Sequence, residues 1–315
     1  MIGYIIKRIL SAVPTLFIVA VIIFTLIRFI PGNPALVMLG DDATPEEVAA
    51  MEARLGLDQP VLVQFFKWLG NAARGDFGQS MFYKEPVLKI ILGRLEPTIL
   101  LVICAMAVAM VVGIPLGILA ATKRNSLIDR LCMVVSMLGI SMPGFWLGLN
   151  LVILFAVTIP ILPSQGYSTI AEKGLLETLR YLTLPSLALG LQRSASLARI
   201  TRSSMLEVLN NDYIRTARSK GIRKNKVIFI HALKNAFNPI LTQLGISIAH
   251  LLGGSVVMER LFSIPGIGRL AFESVSRRDY PTIQGHILFV ATVYVFVNLV
   301  VDLLYRVCDP RVEYK

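Results

Sequence analysis

Arg193 stands near the middle of an apolar stretch from Tyr181 to Ile200, with Gln192 beside it. Charged side chains are costly at membrane depth and mark function by default. A guanidinium placed there can meet a carboxylate, such as the C-terminus of a peptide, through two parallel hydrogen bonds. A structural pair with a neighbouring carboxylate, or a snorkelling position nearer the helix end, would account for the same residue. Asn150, Gln243, His250, Asn298 and Asp302 are further polar side chains in apolar stretches that could line a path. Asp302 is also placed to pair with Arg306 four residues on.

Reaction chemistry has no comparable foothold. A GxxxxGK[ST] phosphate loop, HExxH, GxSxG and an aspartate-rich calcium loop are all missing, and no Gly-Lys dipeptide occurs. Cys104, Cys132 and Cys308 are far apart in or beside apolar stretches, which excludes a disulfide framework or zinc site and leaves them as small hydrophobes. His231, His250 and His286 are solitary, and packing roles suit them better than metal ligation. The expectation is a non-enzymatic chain with no metal and no cofactor of its own.

Positioning these residues is a matter for membrane helices. Of 315 residues, 55% are hydrophobic and only 16% charged, against about 25% charged in soluble domains; mean hydropathy is +0.69. A bilayer crossing needs about 20 apolar residues. Six candidates fit: Ile9–Ile27, Thr98–Thr122, one within Leu131–Ala171 ending near Thr158 before Pro160 and Pro163, Tyr181–Ile200, Ala236–Met258 and Thr282–Leu304. Pro115 and Pro143 are expected to kink the second and third, while Gly113/Gly117 and Gly144/Gly148 supply GxxxG close contacts.

Six crossings put both termini on one side, and Lys and Arg settle which. With Lys7, Arg8, Lys123, Arg124, Arg130, Arg306, Arg311, Lys315 and nine cations between helices four and five inside, that side holds 17 cations against five acids. The opposite side has 13 against 14, so the termini are cytoplasmic. The net charge of +11 is therefore a topology signal rather than a nucleic-acid footprint, which would need stacking aromatics on a soluble face.

The domain organisation follows. Residues 1–30 form an N-terminal membrane helix, 31–96 an extracytoplasmic helical insertion, and 97–315 a core of five membrane helices with a cytoplasmic loop over 201–235. In the insertion, Thr44-Pro45-Glu46-Glu47 reads as a capping box opening a helix that stops at Gly56. A second helix is expected from Pro60 to Arg74, stopped by Gly75, with Val61, Phe65, Phe66, Trp68 and Leu69 packing on the membrane domain. The outer stretch Glu259–Pro281, with Phe262, Ile264 and Ile267, reads equally as a dipping segment or an amphipathic surface helix.

The loop after helix four is longer than a turn requires. It reads TRSSMLEVLNNDYIRTARSKGIRKNKVIFIHALKNAFNP from Thr201. Asp212 can cap a short helix over Tyr213–Lys220, Gly221 can take the left-handed position after it, and a second helix can run to about Asn235. Helix, glycine bend, helix is a docking shape; a basic stretch lying on anionic lipid is the alternative.

This loop resembles the EAA motif of bacterial ABC importer permeases, in which EAA, three residues, Gly, nine residues, Ile, one residue and Leu-Pro mark the segment that engages the ATPase. By that spacing Gly221 is the motif glycine, Arg215, Thr216 and Ala217 stand at the EAA positions, His231 at the Ile, and Leu233-Lys234 at the Leu-Pro. Ala217, Gly221 and Leu233 match; Arg215 stands where the motif has Glu. DYIRTARSKG followed by HALKNA is similar to the dipeptide, oligopeptide and nickel permease subfamily. So are RFIPGNP, LGLDQP, GDFGQS, GIPLGILAA, SMPGFW, ARITRSSMLEVL, FSIPGIGRL, RRDYPTIQG and NLVVDLLYRVCDPRV, in order along nearly the whole chain.

The resemblance implies an all-α membrane protein of the type I importer permease fold. It would lie in a bacterial inner membrane with a second permease subunit, two ATPases that bind the ATP and Mg²⁺, and an extracytoplasmic solute-binding protein. Peptides are the implied substrate, with glutathione or nickel import as alternatives. A stand-alone secondary transporter would want inverted repeats and ion-coupling acids, and would leave the inside loop without a role.

Overall fold

The computed structural model describes residues 2–29, 34–40 and 43–308. The predicted inside charges Asp309, Arg311, Glu313 and Lys315, and the side chains of Lys7, Arg8, Arg306 and Cys308, lie outside what is described. In chain order the helices are α1 (Ile2–Phe29), α2 (Pro34–Leu39), α3 (Pro45–Leu55), α4 (Val61–Ala73), α5 (Val87–Gly93), α6 (Leu95–Thr122), α7 (Leu127–Ser141) and α8 (Gly144–Val152). After α8 a π-helical segment covers Ile153–Thr158. Then come α9 (Ile170–Leu209), α10 (Asp212–Ser219), α11 (Lys224–Lys226), a second π segment over Val227–Ala232, α12 (Leu233–Gly254), α13 (Val256–Leu261), α14 (Ile267–Ser276) and α15 (Tyr280–Cys308).

Among the described residues, three stretches are long and apolar enough to cross a membrane: Leu10–Phe29, Val87–Thr122 and Tyr280–Leu304. A fourth is a broken pair, α7 with α8 and its π extension, bent by 97°. The break corrects the expectation of a single kinked helix: Met142 is extended (φ −78, ψ 127) because Pro143 disfavours helix in the residue before it. The remaining two expected crossings fall within α9 and α12. α9 is broken near its start by a kink at Gly174 (φ 78, ψ 167), and beyond the kink it runs longer than expected and carries Arg193, Arg199 and Arg202, so it is too polar to read as a lipid-facing span.

The chain divides into two compact units, residues 1–96 with 266–296, and 97–265 with 297–315. In the first, Ala20 of α1, Ala72 of α4 and Leu288 of α15 form a small core with Trp68 and Leu69. Thr44 and Glu47 make the expected capping box, and Gly56 closes α3 in the left-handed conformation at φ 70. Of the face predicted for α4, Phe65 is buried and stacks edge-on against Phe24, whereas Val61 and Phe66 point outward. Within the outer stretch, α14 is an amphipathic helix with Ile267 and Leu270 buried.

The second unit is built around α9. Helices α7, α8 and α12 pack on it, and α6 approaches it through glycines. A Cβ on Gly113 would stand 2.7 Å from the Ser194 carbonyl oxygen, one on Gly117 2.5 Å from Thr201 Cβ, and one on Gly190 2.6 Å from the Ala105 carbonyl oxygen. The backbones of α6 and α9 touch, which is the packing role expected of Gly113 and Gly117. Pro115 sits inside α6 without ending it.

Candidate functional site

The segment expected from sequence to engage an ATPase begins where α9 ends. Asn211 takes the extended cap position with no side-chain capping bond, so Asp212, expected as the cap, is instead the first residue of α10. There its charge suits the positive helix end. Its 2.9 Å pair with Arg215 is fully exposed and contributes little. Ile214 and Ala217 turn inward onto Ile118 and Ala121 of α6 and Met205 and Val208 of α9. Arg215, Thr216, Arg218 and Lys220 turn outward. One face of α10 is thus anchored on two long helices and the other is basic and free.

Gly221 ends α10 at φ 74. Its N–H donates to the Arg218 carbonyl at 3.0 Å and that of Ile222 to Ala217 at 3.3 Å. A Cβ there would meet nothing within 4 Å, so the glycine is required by backbone conformation, not by space. The second helix does not stop near Asn235 as expected. It passes through the π segment and continues as α12 to Gly254. Register i→i+5 frees carbonyls, and the His231 carbonyl accepts from Asn235 Nδ2 at 2.7 Å and from the Tyr213 hydroxyl at 3.4 Å. The segment buries Val227 and Ile228 and exposes Phe229 and Ile230. Leu233 is half-buried against both cores of the unit.

The polar residues of the apolar helices separate into different environments. Gln192 Nε2 donates to the Met142 carbonyl at 3.2 Å, and a Cβ on Gly144 would lie 3.1 Å from its Oε1. This amide braces the elbow between α7 and α8. Asn150 is exposed and returns its amide to the Trp146 carbonyl at 2.7 Å. Gln243 reaches Ser247 Oγ at 3.4 Å, His250 is exposed and Asn298 half-buried. Among the described residues none of these bonds to Arg193, whose Nε is buried without a hydrogen-bond partner.

Two buried carboxylates of this unit were not singled out by sequence. Asp129 receives Arg202 in a bidentate pair, Nε to Oδ1 at 2.6 Å and Nη2 to Oδ2 at 2.8 Å, and also accepts the Asn125 N–H at 2.9 Å. Glu259 accepts from the hydroxyls of Thr98 and Ser255, each at 2.9 Å. In the other unit, Asp279 accepts from Ser80 Oγ, from the Met81 N–H at 3.1 Å and from Thr282 Oγ1 at 2.8 Å. Their only sequence signal was a cap-like spacing at Ser126–Asp129 and Asp279–Thr282.

Residues 113–314 match the family described as binding-protein-dependent transport system inner membrane component, and residues 1–102 match its N-terminal counterpart. The chain belongs to this family. It is a multi-pass inner-membrane permease component of a transport system, all-α in fold as the sequence implied. A putative peptide transport system permease of Brucella abortus (strain 2308) is 44% identical over the full length of both chains. The glutathione transport system permease GsiC of Escherichia coli (strain K12) is 42% identical, also over the full length of both. Among solved structures, a chain of the inward-facing MetNI methionine ABC transporter superposes with a TM-score of 0.57 at 17% identity, covering 70% of this chain and 96% of that one.

Proposed function

We propose that this chain is the membrane-spanning subunit of an ATP-driven importer for peptides, working with a second permease subunit, two cytoplasmic ATPases and an extracytoplasmic solute-binding protein. ATP and Mg²⁺ are held by the ATPases, and this chain contributes no catalysis. Both its termini face the cytoplasm, in keeping with the Lys and Arg excess on that side. The observation that carries the reading is the geometry of 212–232: a basic helix anchored by its inner face to α6 and α9, then a glycine bend, then an unbroken helical run into α12. Force applied to the outer face of α10 is delivered to helices that traverse the unit. Arg215, Thr216, Ala217, Gly221 and Leu233 form this coupling element, Ala217 and Leu233 as its anchors.

Peptide is the favoured cargo because a full-length relative is named a peptide permease. Glutathione, the cargo named for GsiC, is itself a tripeptide and falls in the same chemical class. Arg193 is the residue in this chain suited to receive a peptide carboxylate.

Reconstitution of the four-component system in liposomes tests the reading. Labelled peptide should accumulate only with ATP inside and binding protein outside. Uptake by this chain alone under an ion gradient would overturn it.

A further inference from the structure

Within the first unit a cavity of about 560 Å³ lies between α1, α4, α15 and the loop 76–81. Arg28, in the last turn of α1, stands at its rim with its guanidinium 3.7 Å over the Phe24 ring. It is aimed by Gln64, whose Oε1 accepts from Nη2 while its own Nε2 is spent on the carbonyls of Leu57 and Gln59. Lys67 lines the same cavity from α4. Two donors in the lining have nothing to bond to: Trp68 Nε1 and the hydroxyl of Tyr280, a residue only 4% exposed, are buried without partners among the described residues. A buried donor left unpaired costs about 1–3 kcal/mol, so two in one cavity point to a missing acceptor.

The position identifies the acceptor. Arg28 lies one residue from the end of the span Leu10–Phe29, and Tyr280 opens the span Tyr280–Leu304. Both ends therefore mark a membrane–water boundary, where Trp and Tyr belong. From the cavity, the outer face of α1 continues as exposed Ile22, Val21, Ile18 and Phe17. Two cations and two neutral donors at the boundary, with an apolar track leading into the bilayer, match one ligand chemistry. The acid in the lining, Asp76, already accepts the Gly78 N–H at 2.9 Å.

We propose that this cavity seats the headgroup of an anionic phospholipid, its phosphate against Arg28 and Lys67, Trp68 and Tyr280 donating to headgroup oxygens, and its acyl chains along the outer face of α1. The site needs only that the chain be in a bilayer; it is independent of cargo and of ATP coupling.

The test uses the complete transporter in liposomes containing phosphatidylglycerol with a photoactivatable headgroup. The probe should label peptides that contain Lys67–Trp68 and Tyr280. In an R28Q/K67Q double variant that labelling should fall about tenfold, as expected for losing charge-assisted hydrogen bonds. Tyr280→Phe, which keeps the ring, should lower it severalfold. A tail-labelled probe at Ile18 should be unchanged in each variant, confirming that α1 remains inserted. Headgroup labelling that ignores all three substitutions, or equal labelling by phosphatidylcholine, would reduce the cavity to ordinary lipid contact and overturn the proposal. Displacement by soluble glycerol phosphate, or shielding only when solute-binding protein is added, would overturn it in favour of a free anion or a protein contact.

Discussion

Arg202 and Arg193 occupy two stretches of the same helix, α9, and meet opposite circumstances. Arg202 grips Asp129 with two parallel bonds, and Asp129 is 3% exposed. Arg193 is half-buried with an Nε that no described residue satisfies. The first pair joins the start of α7 to the far part of α9. For the second, the Nε is buried without a hydrogen-bond partner among the described residues, and burial disfavours the charged guanidinium by desolvation. Arg202 is accounted for by Asp129, whereas Arg193 keeps a buried Nε that the proposed contact with a peptide carboxylate would satisfy.

Breaking the satisfied pair should give the largest effect. Asp129→Asn leaves Arg202 facing an amide, and removing one partner of a buried pair costs about 3–5 kcal/mol; partial exposure of Arg202 lowers the expectation to roughly 2–3 kcal/mol. Thermal unfolding of the purified transporter should report it as a lowered Tm. Adding Arg202→Met to Asp129→Asn should recover most of the loss, since the unpaired charge is then gone. A double variant no more stable than the single one would mean that the unpaired charge is not the cause of the loss.

The unsatisfied arginine should respond the other way. Arg193→Met removes a charge that insertion scales place at about 2.5–3.5 kcal/mol in mid-membrane, so stability should hold or rise. Peptide uptake should fall about ten- to a hundredfold, the value of a charge-assisted pair with a carboxylate. Amidating the peptide's C-terminus should produce the same loss in wild type and no further loss in the variant. A destabilised Arg193→Met with normal uptake would make the two arginines alike and remove the contrast.

The sequence made some of this visible and concealed the rest for a physical reason. Local devices were legible: the Thr44–Glu47 capping box, the left-handed Gly221, and Gly113 and Gly117 where α6 meets α9. Each is decided by residues within a turn or two, or by the absence of a side chain. Arg193 was legible because a charge among apolar residues is conspicuous in any context. Arg202 was counted only among inside cations because its partner lies 73 residues away, and no spacing rule spans that distance. The same holds for Thr98 and Glu259, and for Ser80 and Asp279. Pro143 announced a kink in helix three, but not a 97° elbow, nor the Gln192 amide that bonds the Met142 carbonyl from α9.

Gly221 tests the proposed coupling element. Gly221→Ala has open space for its methyl group but must hold a left-handed backbone, at about 1–2 kcal/mol. The effect should be centred on the bend: Tm lowered by only a few degrees, peptide-stimulated ATP hydrolysis reduced severalfold. An Asn at the same position, which tolerates that conformation better, should recover part of the stimulation. Equal defects from Ala and Asn would show that the lost property is not backbone conformation.

The smallest effect is expected at an ion pair of intermediate exposure, which calibrates the scale between Arg202 and a surface charge. Glu273 accepts from Arg269 Nε at 2.7 Å and from the Tyr83 hydroxyl at 2.9 Å. Burial pushes its carboxyl pKa upward, but the two hydrogen bonds outweigh that and hold it below the usual carboxylate range. A folded-state value below the unfolded one gives stabilisation that is present above about pH 4.3, the ordinary glutamate value, and is lost as pH falls through the folded value. For Tyr83 burial and the bond to Glu273 raise the pKa, so its share is present at neutral pH and is lost only as alkaline pH passes the raised value. With Arg269 about one-third exposed, the total should stay below about 1 kcal/mol. Hydrogen-exchange protection factors across residues 81–86, corrected for the intrinsic pH dependence of exchange, should therefore fall modestly in acid for wild type and be nearly flat with pH for Glu273→Gln. A loss as large as that of Asp129→Asn would show that exposure does not separate these pairs, and the account of why Arg202 matters more would fail with it.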